Sequence, residues 1–171
     1  MSILSHNVYD NVRTRVIIPH DGALLLVFME VDGEEMWGPP GGGMEPHESL
    51  VECAAREVME ETGIAVDVGR VAFLREWVVP AYCELPEAGD GFGYGIEVFL
   101  WARVRDPAAV TPCGDLDAHW MPLAEVPSLV VWPNELKSLA AMMAAGNEPA
   151  GVHSFVSQLE DPSLPGRPVD W

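Results

Sequence analysis

The chain has 171 residues and an uneven charge balance, with 27 Asp and Glu against 9 Lys and Arg and a formal net charge of −18. A surface of this sign repels polyphosphate backbones and anionic membranes, which excludes long nucleic acids and membrane surfaces as expected partners. Because 49% of the residues are hydrophobic and only 21% are charged, the chain is too apolar for an acidic disordered tail and should form a packed core.

The length fits a single domain over residues 1–171. The sequence shows no basic start followed by an apolar stretch, and no segment approaches the ~18 to 20 apolar residues that span a bilayer. We therefore expect a soluble, cytoplasmic protein. Cys53, Cys83 and Cys113 are odd in number and form no CxxC pair, which predicts neither a disulfide framework nor a zinc site.

Two strands joined by a tight turn are predicted near the N-terminus. The segment Val12–Ile18 is rich in β-branched residues and ends at Pro19, and the apolar run Ala23–Met29 follows the turn residues His20-Asp21-Gly22.

A loop dense in glycine and proline, Gly38–Gly43, leads into a helix predicted over Ser49–Thr62. Ser49 and Glu52 have the spacing of a capping box, and Gly63 stands where a helix favours a left-handed glycine. One apolar stripe should pack against the rest of the domain, formed by Leu50, Val51, Ala54, Ala55 and Val58.

The remaining segments continue the alternation of strands and helices. Strands are predicted in Val66–Val79, Ile96–Val104 and His119–Pro122, with a long acidic loop over Pro80–Gly95 and a second helix over Glu135–Ala145. From Gly146 onward the pattern is weak and predicts no element. Strands on both sides of a central helix predict a mixed α/β domain.

The first helix concentrates carboxylates. Glu57, Glu60 and Glu61 lie three and four residues apart, so at least two share a face, and like charges so placed destabilise an isolated helix by about 0.2–0.5 kcal/mol per pair. Arg56 can reach Glu52 or Glu60, whereas Glu57 and Glu61 have no basic neighbour in the local sequence. Carboxylates without His or Cys favour hard cations such as Mg²⁺, Mn²⁺ or Ca²⁺, and a solvated acidic face is the alternative.

The segment Gly42–Ile64 resembles the Nudix box at every defined position. Gly42 is followed after five residues by Glu48, and after seven more by the run REVMEETGI that begins at Arg56. The flanking segments Trp37–Glu45 and His119–Pro127 are also similar to this family, although His47 stands where many members have glycine. The resemblance covers about residues 10 to 145 and implies the Nudix fold, an α/β/α sandwich around a mixed β-sheet, with 146–171 as an extension without an assigned role.

This resemblance implies a Nudix pyrophosphohydrolase. Such an enzyme hydrolyses the diphosphate bond of a nucleoside diphosphate linked to another moiety, with Mg²⁺ or Mn²⁺ as cofactor. Substrates of this kind are nucleoside triphosphates, nucleotide sugars such as ADP-ribose, and dinucleoside polyphosphates. The alternative is a Nudix-fold module that senses a nucleotide without cleaving it, and an isoprenoid diphosphate isomerase is a weaker one. Homodimers are common in the family, but the sequence does not decide this point.

The resemblance also implies roles for individual residues. The metal ligands would be the carboxylates of Glu57, Glu60 and Glu61 and the carbonyl of Gly41, and Arg56 would orient these glutamates. Loop and helix geometry would be supported by Gly42, Glu48 and Gly63, with a distant metal contact as a second reading of Glu48.

The general base is left open by the sequence. Glu97 follows the long loop and begins an otherwise apolar strand, so it is one candidate, and Glu57 and Glu61 are its competitors. Glu97 has an alternative reading as an acid that faces solvent on an alternating strand.

Aromatic residues near the expected cleft are candidates for stacking on a nucleobase. Trp37, Phe92 and Tyr94 are predicted to bind substrate, and Trp77 lies in the same region. Glycines surround Phe92 and Tyr94, which favours a mobile loop that covers the substrate. Packing in the core is the alternative for these aromatic groups.

Overall fold

The structure of the protein, a computed structural model, describes residues 11–31, 33–78, 94–147, 153–158 and 167–168. In chain order its elements are β1 Val12–Ile17, β2 Pro19–His20, β3 Ala23–Val31, β4 Glu34–Gly38, α1 Leu50–Thr62, β5 Val66–Val78, β6 Tyr94–Val104, β7 Ala118–Pro122, α2 Glu135–Ala144, β8 His153–Gln158 and β9 Arg167–Pro168.

The strands form two sheets. The larger is mixed and has the order β1-β6-β5-β8-β9, with β1 parallel to β6, β5 parallel to β8, and antiparallel pairing elsewhere. In the smaller sheet β3 pairs antiparallel with β2, β4 and β7. The predicted α/β class with a mixed sheet is confirmed, and the strands divide between two sheets.

The chain changes sheets at Pro19. The predicted strand over Val12–Ile18 is confirmed as β1, but His20, predicted in the turn, pairs with β3 together with Pro19. Strand β1 lies beside β6 in the larger sheet, whereas Pro19 and His20 pair with Leu24 and Ala23 in the smaller one. Proline has no N–H to donate, so it ends the first ladder. The predicted tight turn is confirmed, since Asp21 and Gly22 both have positive φ, at 44° and 77°.

Three further strands, besides β2, were absent from the sequence prediction. Strand β4 carries two consecutive exposed glutamates, which obscure the alternation of apolar and polar residues. Strands β8 and β9 come from the C-terminal segment that predicted no element, and they extend the larger sheet beyond β5. The other predicted strands and both helices are confirmed within one or two residues, as far as they lie within the described residues.

Two apolar clusters hold the helices against the sheets. Residues of α1 join the first cluster, with Ala54 and Val58 buried, and residues of α2 join the second. Strand β3 serves both, because Leu25 belongs to the first and Leu24 to the second. The prediction for Val51 was wrong: its side chain is 47% exposed, and the buried neighbour on that turn is Cys53.

Candidate active site

Helix α1 begins and ends as predicted. Ser49 accepts a hydrogen bond from the backbone N–H of Glu52 at 3.3 Å, and the Glu52 carboxylate accepts one from the backbone N–H of Ser49 at 2.8 Å. At the other end Gly63 is left-handed, with φ of 71°, and donates to the carbonyl of Met59. The capping box and the C-terminal glycine therefore fix where the carboxylate-bearing segment starts and stops.

A distant loop completes the C-terminal end of α1. The backbone N–H groups of Cys113, Asp115 and Leu116 donate to the carbonyls of Thr62, Glu60 and Glu61, at 2.9, 2.9 and 3.0 Å. These carbonyls lack partners within the helix, so the loop supplies what the helix end requires. No local pattern in the sequence signals this contact.

Gly114 should be intolerant of a side chain, because a Cβ there would lie 2.3 Å from the Glu61 carbonyl carbon and the Thr62 nitrogen. Gly114→Ala should therefore displace the loop and lower the free energy of unfolding by about 2–3 kcal/mol, near the upper end for single substitutions. Gly43→Ala is the matched control, since a Cβ at Gly43 meets nothing within 4 Å. Urea unfolding of both variants measures the difference, and equal stabilities would contradict this reading of the loop.

The glycine-rich loop lies along β1 like a further short strand. The N–H groups of Thr14 and Val16 donate to the carbonyls of Gly42 and Pro40, at 2.9 and 2.8 Å. Gly41 has φ of 142°, and a Cβ at this position would lie 2.2 Å from the carbonyl oxygen of Thr14. Glycine is thus required at Gly41 both by its backbone conformation and by the close approach to β1.

Glu57 lies directly against this loop. A Cβ on Gly42 would be 2.6 Å from the Glu57 carboxyl carbon and one of its oxygens. The absence of a side chain at Gly42 therefore makes room for a carboxylate of α1.

Arg56 connects the carboxylates to the loop. Its guanidinium donates to both oxygens of Glu48, at 2.8 and 3.1 Å, to Glu57 at 2.8 Å and to Glu60 at 3.1 Å. It also donates to the carbonyl of Gly43 at 3.0 Å. The predicted Arg56–Glu60 contact is confirmed. The statement that Glu57 lacks a basic neighbour was wrong, because the adjacent Arg56 reaches it.

The charge of Arg56 changes the titration of its partners. Its hydrogen bonds lower the pKa of Glu48 to about 2, against a usual value of 4.5, with burial opposing the shift. The same contact raises the pKa of Arg56 itself. Glu48 thus serves as an anchor for Arg56 in this structure.

Glu61 approaches the loop from the next turn of α1. Its carboxylate accepts a hydrogen bond from the backbone N–H of Gly41 at 2.9 Å. Burial raises the pKa of Glu61, and the hydrogen bond from Gly41 and the charge of Arg15 only partly offset that effect. Glu57 and Glu61 therefore meet the loop at two consecutive residues, Gly42 and Gly41.

Glu97 is buried, with 3% of its surface exposed, so the reading of it as a solvent-facing acid was wrong. Arg15 Nε donates to Glu97 Oε1 at 3.3 Å, and Arg75 Nη1 lies 3.7 Å from Glu97 Oε2. Arg15 also donates through Nη1 to the carbonyl of Gly41 at 2.8 Å. Both arginines were missed from the sequence. Strands β1 and β5 contain other charged residues, such as Arg13 and Arg70, and no local signal distinguishes the two that are buried.

Of the aromatic side chains predicted near the cleft, only that of Trp37 belongs to the described part of the chain. Trp37 is half-buried and packs edge-on against Phe28 and His119, with ring centroids 5.4 Å apart in each pair. Phe92 lies outside the described residues, and for Trp77 and Tyr94 only the backbone, in β5 and β6, is described. Binding of substrate by these side chains stays a prediction.

The available donors are of the type that hard cations prefer. Among the described residues no three His, Cys, Asp or Glu side chains are grouped so that they could hold one metal ion. Glu57 and Glu61 nevertheless converge on the same loop, and Mg²⁺ is commonly held by one or two carboxylates together with substrate phosphates. The residues present thus fit a Mg²⁺ site that the substrate would complete.

The structure has a mixed α/β fold in which a carboxylate-bearing helix packs against a glycine-rich loop. These are the features that the resemblance to the Nudix family implies. The chain belongs to the Nudix family: residues 10–142 match the NUDIX domain.

Relatives with known sequences or structures extend this finding. The chain is 34% identical over 70 residues to phosphatase NudJ of Escherichia coli K12, a match that covers 41% of this chain and 46% of that protein. The match thus spans less than half the length of this relative. A NUDIX hydrolase from Nitrosomonas europaea superimposes with a TM-score of 0.59 at 23% identity, over 81% of this chain and 90% of that one. An ADP-ribose pyrophosphatase from Streptococcus suis gives 0.55 at 20% identity, over 86% and 99%. These structures show the same fold.

Within the part of the chain that the structure describes, neither helix has the length and apolar character needed to cross a membrane.

Proposed function

We propose that the protein is a Mg²⁺-dependent pyrophosphohydrolase, which hydrolyses the diphosphate bond of a nucleoside diphosphate linked to another moiety. The observation that carries this proposal is the convergence of Glu57 and Glu61 on two consecutive residues of the glycine-rich loop, Gly42 and Gly41. The similarity to an ADP-ribose pyrophosphatase and to a UDP-X diphosphatase supports the same class of substrate.

Hydrolysis of such a bond joins a water oxygen to phosphorus and releases the bridging oxygen with the other phosphate. The site must therefore take up a proton from the attacking water and tolerate the negative charge of the diphosphate. Bound Mg²⁺, held by Glu57, Glu60, Glu61 and the Gly41 carbonyl, would neutralise that charge and acidify the water.

Of the three candidates for the general base, the site favours the glutamates of α1. Glu61 stands at the loop, where its carboxylate accepts from the Gly41 N–H, and burial raises its pKa in the metal-free protein. Glu57 stands beside it with one oxygen engaged by Arg56. Glu97 is buried and engaged by Arg15, so it is less suited to exchange protons with a water molecule.

The net charge of −18 disfavours a long polyanion as substrate. It is compatible with a small phosphate compound that binds together with a cation. A cytoplasmic location and a homodimer stay predictions, and size exclusion at several concentrations tests the second.

The test is an incubation with Mg²⁺ and a panel of nucleotides: a nucleoside triphosphate, ADP-ribose, a UDP-sugar and a dinucleoside polyphosphate. We expect release of a nucleoside monophosphate, phosphate or pyrophosphate from at least one of them, and its loss on addition of EDTA. Binding of a nucleotide without any such product would favour the non-cleaving sensor instead.

A further inference from the structure

A continuous chain of contacts joins the buried Glu97 to the candidate metal site. Glu97 Oε1 accepts from Arg15 Nε at 3.3 Å, Arg15 Nη1 donates to the Gly41 carbonyl at 2.8 Å, and the Gly41 N–H donates to Glu61 at 2.9 Å. The two sides of one guanidinium are thus used at once. Through Nε the guanidinium is held to Glu97 in β6 of the larger sheet, and through Nη1 it holds the Gly41 carbonyl.

The contact between Arg15 and the Gly41 carbonyl matters because of how the neighbouring peptides are held. Its neighbours Pro40 and Gly42 direct their carbonyls to the N–H groups of β1, so β1 fixes the peptides on either side. The peptide between them carries the Gly41 carbonyl, whose partner is Arg15 instead. The Gly41 N–H that meets Glu61 belongs to the preceding peptide, which is held through the Pro40 carbonyl. Arg15 is therefore the side chain that sets the direction of the Gly41 carbonyl.

We propose that Arg15 is a positioning residue for the divalent cation site, anchored by Glu97, and that Glu97 acts through Arg15 and is not the general base. This inference rests on the proposed function, because it assumes that Glu61 and the Gly41 carbonyl are ligands. The anchoring role is consistent with the surroundings of Glu97, whose buried carboxylate lies beside Arg15 and Arg75. A planar guanidinium can hold two acceptors in fixed directions, whereas an ammonium group cannot reproduce that geometry.

Arg75 offers a matched comparison within the same cluster. Its guanidinium is fully buried, lies 3.7 Å from Glu97 Oε2 and stacks 3.7 Å above the ring of Trp132. Its nitrogens make no hydrogen bond among the described residues. Arg15 and Arg75 therefore share Glu97 and carry the same charge, but it is Arg15 that donates to the Gly41 carbonyl.

The first experiment compares Arg15→Lys with Arg75→Lys by titrating each folded protein with Mn²⁺ and recording the free ion by electron paramagnetic resonance. Both variants keep the charge. Arg15→Lys should weaken Mn²⁺ binding by about 10- to 100-fold, the range for groups that orient metal ligands. In the metal-free protein it should shift the amide nitrogen resonance of Gly42, which shares a peptide group with the Gly41 carbonyl. Arg75→Lys should change neither, even if it lowers the melting temperature. Equal effects of the two variants, or wild-type protein that binds no Mn²⁺, would overturn the inference.

The second experiment uses Glu97→Gln, which keeps an acceptor for Arg15. Its kcat should stay within about tenfold of wild type with an unchanged pH profile, whereas loss of a true general base costs ~10²- to 10⁴-fold. A loss of that size in a folded variant would restore Glu97 as the base and refute our assignment. If no nucleotide is hydrolysed by wild-type protein, the proposed function fails, and the Mn²⁺ titration and the Gly42 resonance of Arg15→Lys still decide the positioning role.

Discussion

Glu57→Gln should lower kcat by roughly 10²- to 10⁴-fold, the range observed when a catalytic carboxylate is removed. The amide has nearly the shape of the carboxylate and fits against Gly42, where the Glu57 carboxyl carbon already lies in close contact. The substitution removes the negative charge without opening a cavity, so the loss reports on the charge. Steady-state hydrolysis of the best substrate of the nucleotide panel measures it, together with Mn²⁺ affinity.

Glu52→Gln is the control on the same helix. Glu52 is exposed and completes the capping box with Ser49, a role that glutamine can also fill. Both variants change the net charge of the protein by the same amount, so a general electrostatic effect would appear in each. Similar losses in the two variants would argue against a specific role for Glu57.

Much of the fold was accessible from the sequence, because local signals set its elements. The capping box at Ser49 and the glycine at Gly63 fixed the ends of α1 to within one residue. Pro19 indicated where the first strand ends, because proline has no N–H to donate. No local signal indicated that the next residues join another sheet. Strand β8 pairs with β5 across about eighty residues of sequence, and such pairing has no local signature.

The site divides in the same way. Spacing within the box placed Arg56 beside Glu60, because both lie on one helix. It could not show that the N–H groups of a loop at residues 113–116 cap the end of that helix, or that Arg15 and Glu97 meet, since those contacts depend on how separate segments pack. The presence of Arg15 and Arg75 in predicted strands was visible in the sequence, but the burial and the partner of each charge were not.

Arg56→Met should weaken both stability and activity, because one guanidinium serves three carboxylates and a carbonyl. We expect the free energy of unfolding to fall by about 2–3 kcal/mol at pH 7, after allowance for the partial exposure of Arg56. kcat should fall by about 10- to 100-fold, since Glu57 and Glu60 lose the group that orients them. Arg103→Met is the control, because the Arg103–Asp67 pair is exposed and 3.6 Å apart.

The pH dependence of this difference tests the cause. In the folded protein the pKa of Glu48 is about 2, below its usual value of 4.5, so the unfolded chain binds the proton first as the pH falls. The Arg56–Glu48 contact therefore stabilises the fold fully above about pH 5 and progressively less as the pH approaches 2. Arg56→Met lacks this contribution, so its deficit relative to wild type should shrink between pH 5 and pH 3 in urea unfolding with EDTA present. A deficit that stays constant across that range would mean that Arg56 stabilises the helix through its hydrogen bond to the Gly43 carbonyl and not through Glu48.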